Sequence, residues 1–140
     1  AVALETQKIY EERDTFKYAA SVAPHFQKKL RAFEDHPLVG EARGVGLIGA
    51  IEFVADKKTK EPFDPTLKVA AFANASAYEH GLIVRALPAG DSVAFCPPLI
   101  ITEKQIDDMM DCFAKALDDT EKMLAKQGII QCMQFIELKT

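Results

Sequence analysis

The feature that most limits how this chain can fold is a change of hydrophobic period at His36-Pro37. Upstream, Val22, Phe26, Leu30 and Phe33 recur at spacings of four, four and three, which lines them along one face of a helix. Downstream, Val39-Gly40-Glu41-Ala42-Arg43-Gly44 leads into the run Val45-Gly46-Leu47-Ile48-Gly49-Ala50-Ile51-Glu52-Phe53-Val54, whose β-branched and aromatic content reads as a strand. Proline disfavours helix in the residue before it, so the switch falls at that point. A helical stripe and a strand in one chain must bury their apolar faces against each other, which implies a layered α+β domain.

The remaining punctuation fills in the order. The first segment, to about Phe33, begins with Ala1-Val2-Ala3-Leu4 already in helical register and no capping residue before it, as at an interior point of a longer chain. Asp14-Thr15 offers a cap in mid-segment, so two helices are expected there. Asp56 to Glu61 is a charged turn. Asp64-Pro65 reads as N-cap and first helical position of a helix that runs to about His80 and stops at Gly81 in the left-handed conformation. Leu82-Ile83-Val84-Arg85 and Ser92-Val93-Ala94-Phe95-Cys96 read as strands that pair across a wide loop containing Pro88 and Gly90. Thr102-Glu103-Lys104-Gln105 is a capping box, and Ile106, Met110, Phe113, Leu117 and Leu124 follow down one face of the helix behind it, with Met109 and Met110 as core filler. The order helix, strand, helix, strand, strand, helix predicts a small antiparallel or mixed sheet covered by helices on one face. The stretch from Gln127 to Leu138 is more apolar than a free tail needs, and its period fits helix and strand equally.

Composition removes several function classes. At 140 residues the chain suits one core, and 17 basic against 21 acidic residues, with no basic block beyond Lys57-Lys58-Thr59-Lys60, give no broad positive face for a nucleic acid. No apolar run approaches the roughly 20 residues that span a bilayer. Cys96, Cys112 and Cys132 are odd in number and widely spaced, so neither a disulfide framework nor a zinc knuckle is indicated and a reducing cytoplasm fits. His25, His36 and His80 are scattered and read as surface or capping residues.

Taken alone, the residues contain no G-x-S-x-G, no H-E-x-x-H and no phosphate-cradling G-x-x-x-x-G-K. Asp107, Asp108 and Asp111 lie in the first turns of a capped helix, where the dipole favours negative charge. The glycines at 44, 46 and 49 leave room either for helix-on-sheet packing or for a ligand. Arg85 stands apart, because it ends an apolar strand at the rim of a sheet, where a planar guanidinium suits bidentate binding of a carboxylate. A salt bridge to an acid at the sheet edge is the plainer reading of the same residue.

Two segments carry a family resemblance. The run from His36-Pro37-Leu38-Val39-Gly40-Glu41-Ala42-Arg43-Gly44 through Gly49-Ala50-Ile51-Glu52 resembles the "HPLVGEVRGxGLxxAIEL" segment of class III pyridoxal-phosphate-dependent aminotransferases. Glu79-His80-Gly81-Leu82-Ile83-Val84-Arg85, followed by Phe95-Cys96-Pro97-Pro98-Leu99 and Thr102, resembles the same family's "GLIxR … PPLxxT" ending. The likeness extends from Ala1 to about Met123.

The resemblance implies the C-terminal small domain of a fold-type I enzyme over residues 1–126, with 127–140 a tail of no recognised counterpart. It is nearest the omega type, which moves amino groups between amines or amino acids and keto acids such as pyruvate. The arginine at the position of Arg85 is similar to a mobile gate that binds a substrate carboxylate and swings aside for an uncharged amine. Arg43, Gly44 and Gly46 would shape the turn and its packing, and Pro97-Pro98 would fix the chain leaving the sheet. The family's Schiff-base lysine, the aspartate on the pyridine nitrogen and the phosphate ligands belong to its large domain, so pyridoxal 5'-phosphate would be bound there. No catalytic, cofactor-binding or metal residue is assigned to this chain. The expected partners are that large domain, a small amine or keto acid and a second subunit of a cytoplasmic homodimer. The rival of another class is a stand-alone α+β carboxylate-binding or assembly module without catalysis.

Overall fold

The computed structural model describes residues 2–87 and 90–130. Four helices, α1 (Val2–Glu12), α2 (Thr15–Arg31), α3 (Val69–Glu79) and α4 (Glu103–Lys126), accompany four strands, β1 (Val39–Val45), β2 (Ile48–Phe53), β3 (Arg85–Leu87) and β4 (Ser92–Phe95). The strands form one sheet in the order β1-β2-β4-β3, and every neighbour pair is antiparallel. The expected α+β class stands, with no parallel pair in this sheet.

The core lies between one sheet face and the helices. Phe26 and Leu30 of α2, Ala73 and Ala77 of α3, and Ile106, Phe113, Leu117 and Leu124 of α4 are buried against Ile51, Phe53, Val93 and Phe95. Phe113 is the hinge pin of this packing, meeting Phe95 and Phe33 edge-on with ring centroids 4.8 and 5.3 Å away. The expected apolar stripe of α4 is thus the face that closes the core. Its capping box is formed, with Thr102 accepting from the Gln105 N–H at 3.2 Å and Gln105 accepting from the Thr102 N–H at 3.0 Å. α1 buries none of its residues and leaves Val2, Leu4 and Ile9 exposed.

Four expectations are corrected. The run from Val45 to Val54 is not one strand: Gly46 and Leu47 make a two-residue turn, so the segment is a β1–β2 hairpin with Val45 opposite Ile48. Gly46 at φ 58° supplies the positive φ that a type II′ turn needs at its first central position. The break between α1 and α2 occurs as expected, but Asp14 makes it by adopting φ 46° and not by a side-chain cap. Asp64 does accept from the Thr66 N–H at 2.8 Å, yet it caps only a 3-10 turn over Pro65–Leu67, and Lys68 at φ 52° separates that turn from α3. Leu82, Ile83 and Val84 lie outside the sheet, so Arg85 opens β3 where it was expected to end a strand.

Ala1, Pro88, Cys132 and the tail from residue 131 lie outside the described residues. Up to that point α4 ends in a reversal: Gly128 at φ 71° lets the Ile129 N–H reach the Leu124 carbonyl at 3.1 Å, and the Gly128 N–H reach that of Ala125 at 3.0 Å.

Candidate functional site

The position of Arg85 is set from the end of α3. Gly81 at φ 85° lets the Leu82 N–H bond back to the Ala77 carbonyl at 2.8 Å while its own N–H bonds Tyr78 at 2.9 Å. Leu82 and Ala77 are both buried, completing the apolar contact of this helix ending. The chain is thereby aimed at the sheet, and Val84 and Ala86 pack on the core. Alternation along an extended chain then turns Arg85, between them, to the sheet face away from the helices.

On that face the strand register builds one continuous row. Arg85 lies opposite Ala94, Ala94 opposite Ala50, and Ala50 opposite Arg43. Two methyl groups therefore separate two guanidinium-bearing positions, about 14 Å apart by three strand spacings. The two arginines differ in state. Arg43 is held by Glu52 at 2.6 Å and Glu41 at 3.2 Å, and the Glu52 hydrogen bond, the largest cause, raises its already high pKa. Among the described residues Arg85 has no ion pair, so the plain salt-bridge reading does not hold for them. Arg13 and Arg31 also lack one among those residues, but both lie on helices or their connection and not on the sheet. A carboxylate reaching the open face meets one cation already neutralised and one that is not.

The loop after β3 is tied down at its far end. Asp91 Oδ1 accepts the Ala70 N–H at 3.1 Å, within the first turn of α3, and its carbonyl accepts the Phe53 N–H at 2.7 Å. Because Lys68, the residue before α3, provides no side-chain acceptor, Asp91 caps that helix from another part of the chain. Sequence reasoning missed Asp91, and no local signal could have found it, since the partners are 21 residues apart. Pro97-Pro98 leads out of β4 into a turn closed by the Ile101 N–H on the Pro98 carbonyl at 3.0 Å.

The glycines resolve towards packing. A Cβ on Gly49 would run into Leu30 and close on Phe26, and one on Gly44 would meet the Ile48 carbonyl and Gln27. The three histidines each face an acid of α4: His25 Nε2 is 2.8 Å from Asp107, His80 Nε2 is 2.8 Å from Asp119, and His36 Nε2 is 3.7 Å from Glu121. Asp107 also pairs with Lys29 at 2.9 Å, so its charge serves helix-to-helix contact as well as the helix start. A groove of about 660 Å³ between α3 and α4 contains His80 and Asp119 but no residue of the sheet. A pyridoxal phosphate pocket needs an enclosed lysine and an acid for the ring nitrogen. No lysine, aspartate or glutamate is buried among the described residues.

The chain matches the profile of the aminotransferase class-III family over residues 1–117, most of its length. It belongs to that family. Among curated relatives of this class III chain, a chloroplastic gamma aminobutyrate transaminase 3 of Solanum lycopersicum is 42% identical over 121 residues, covering 86% of this chain and 23% of the relative. A diaminobutyrate–2-oxoglutarate transaminase of Halomonas elongata is 37% identical, covering 94% and 28% respectively. The crystal structure of the omega transaminase from Pseudomonas jessenii in complex with PMP superposes with a TM-score of 0.82 at 44% identity, covering 89% of this chain and 27% of that one. The class III chain thus spans about a quarter of the length of the proteins it matches.

Proposed function

We propose that this chain is the substrate-recognising small domain, over residues 1–126, of a pyridoxal-phosphate-dependent transaminase of omega type. The enzyme moves an amino group between an amine or amino acid and a keto acid such as pyruvate, and Arg85 binds the acid's carboxylate. The observation that carries this reading is the guanidinium of Arg85, unpaired among the described residues on the helix-free sheet face of a class III domain. The exposed apolar side chains of α1, Val2, Leu4 and Ile9, support packing against a large domain of the same polypeptide. That large domain carries the lysine and holds the cofactor, which these residues do not enclose. The reading includes a homodimer in a reducing cytoplasm, the compartment supported by Cys96 and Cys112, which are free thiols among the described residues.

A long side chain anchored only at its backbone can both meet a carboxylate and leave the pocket to an apolar group, which a rigid ion pair could not do. In the complete enzyme, Arg85→Ala should lower kcat/KM for a carboxylate-bearing acceptor by about 10- to 100-fold, the value of a charge-assisted hydrogen-bonded pair. Turnover of a simple uncharged amine should change little. Steady-state kinetics with both substrate classes decides it, and equal loss for the two would contradict the gating role.

A further inference from the structure

On the carboxylate-binding role proposed for Arg85, we infer that Ala94, backed by Ala50, sets the size of the group that can lie beside an Arg85-bound carboxylate. The register makes Ala94 the direct cross-strand neighbour of Arg85, and Ala50 the next position in the same row. Directly opposed side chains stand roughly 5 Å apart at Cβ, closer than any sequence neighbour on that face. Both alanines are half-buried, and neither is a packing residue of the core, whose members on these strands are Ile51, Phe53, Val93 and Phe95. Beyond them the row ends at Arg43, occupied by Glu41 and Glu52, which offers no second cation for the ligand. Along this cross-strand row the positions next to Arg85 therefore carry only methyl groups, chemically apolar and sterically low, with Leu87 two residues further along β3. Such a row suits a 2-oxo acid whose carboxylate sits on Arg85 and whose unbranched alkyl chain lies over Ala94. Residue 94 acts through volume, as a specificity-determining position and not as a catalytic residue.

The test uses the complete enzyme with pyruvate, 2-oxobutyrate and 2-oxopentanoate as acceptors, and compares the unchanged protein with Ala94→Val and Ala94→Leu. Both substitutions suit a half-exposed strand position, and melting temperatures identify any variant that fails to fold. The ratio of kcat/KM for 2-oxopentanoate to that for pyruvate should fall by about tenfold or more in Ala94→Leu and by less in Ala94→Val, in line with the value of one or two methylenes in a confined site. An unchanged ratio overturns the inference, whether activity stays or drops uniformly for all three acids. Arg85→Ala in the same assay separates the two claims. If it leaves carboxylate-bearing acceptors unaffected, the role of Arg85 fails; if it depresses them all while the Ala94 variants keep the ratio, only the inference about Ala94 fails.

Discussion

Gly49 occupies a place where side chains of α2 already fill the room a Cβ would take. A Cβ there would overlap Leu30 and press on Phe26, both without solvent exposure, so neither can yield without disturbing the core. Gly49→Ala should destabilise the fold by about 1–3 kcal/mol, the usual cost of overpacking. Urea unfolding measures this, and an unchanged midpoint would contradict the packing role. From sequence, glycines 44, 46 and 49 looked alike, because a missing side chain does not say whether its room is used by a neighbour, a turn or a ligand. The structure separates them into one turn residue and two packing residues. Arg85 was legible as a strand-rim cation, but its row of alanines was not, since cross-strand register depends on two turns whose geometry a linear pattern leaves open.

At the scale of elements, α4 is fastened to each of its neighbours by a histidine and an acid. Asp107 is held below the usual carboxylate range by its hydrogen bond from Lys29 and then by His25, and Asp119 by His80 and then Ser76. His36 is lowered by burial, partly countered by Glu121 and Asp118 and reinforced by Lys57. Its Nδ1 accepts the Leu38 N–H at 3.3 Å, which requires the neutral ring with the proton on Nε2, towards Glu121. All three groups bind protons more weakly folded than unfolded, so acid destabilises. The contribution of His36 is complete above about pH 6.5 and is lost as pH falls through its lowered value, while the two aspartates follow below about pH 3.9. The melting temperature should therefore begin to fall below about pH 6.5, and His36→Gln should remove that first limb and keep the second. A flat profile in the wild-type protein between pH 7 and pH 5 would contradict it.

The same helix shows what was readable. Its capping box and apolar stripe are local signals, and both hold. The hairpin was missed because Gly46-Leu47 lacks the Asn-Gly or Asp-Gly signature and sits inside an unbroken apolar run. The Lys68 break was hidden because lysine rarely adopts a left-handed backbone.

The described residues form a sheet with α2, α3 and α4 on one face and a row of two arginines and two alanines on the other, with α1 packed on α2. That asymmetry, with an α1 that buries nothing of its own, agrees with the proposed small domain, whose open surfaces would meet another part of the same enzyme. The central claim is that recognition resides in these residues and cofactor chemistry outside them. Intact mass of the natural polypeptide before and after borohydride reduction, with peptide mapping, tests it most directly. The account predicts a chain much heavier than 15.5 kDa that retains a phosphopyridoxyl group on a lysine beyond these 140 residues. A 15.5 kDa chain with no adduct, or an adduct on a lysine within residues 1–140, would contradict it.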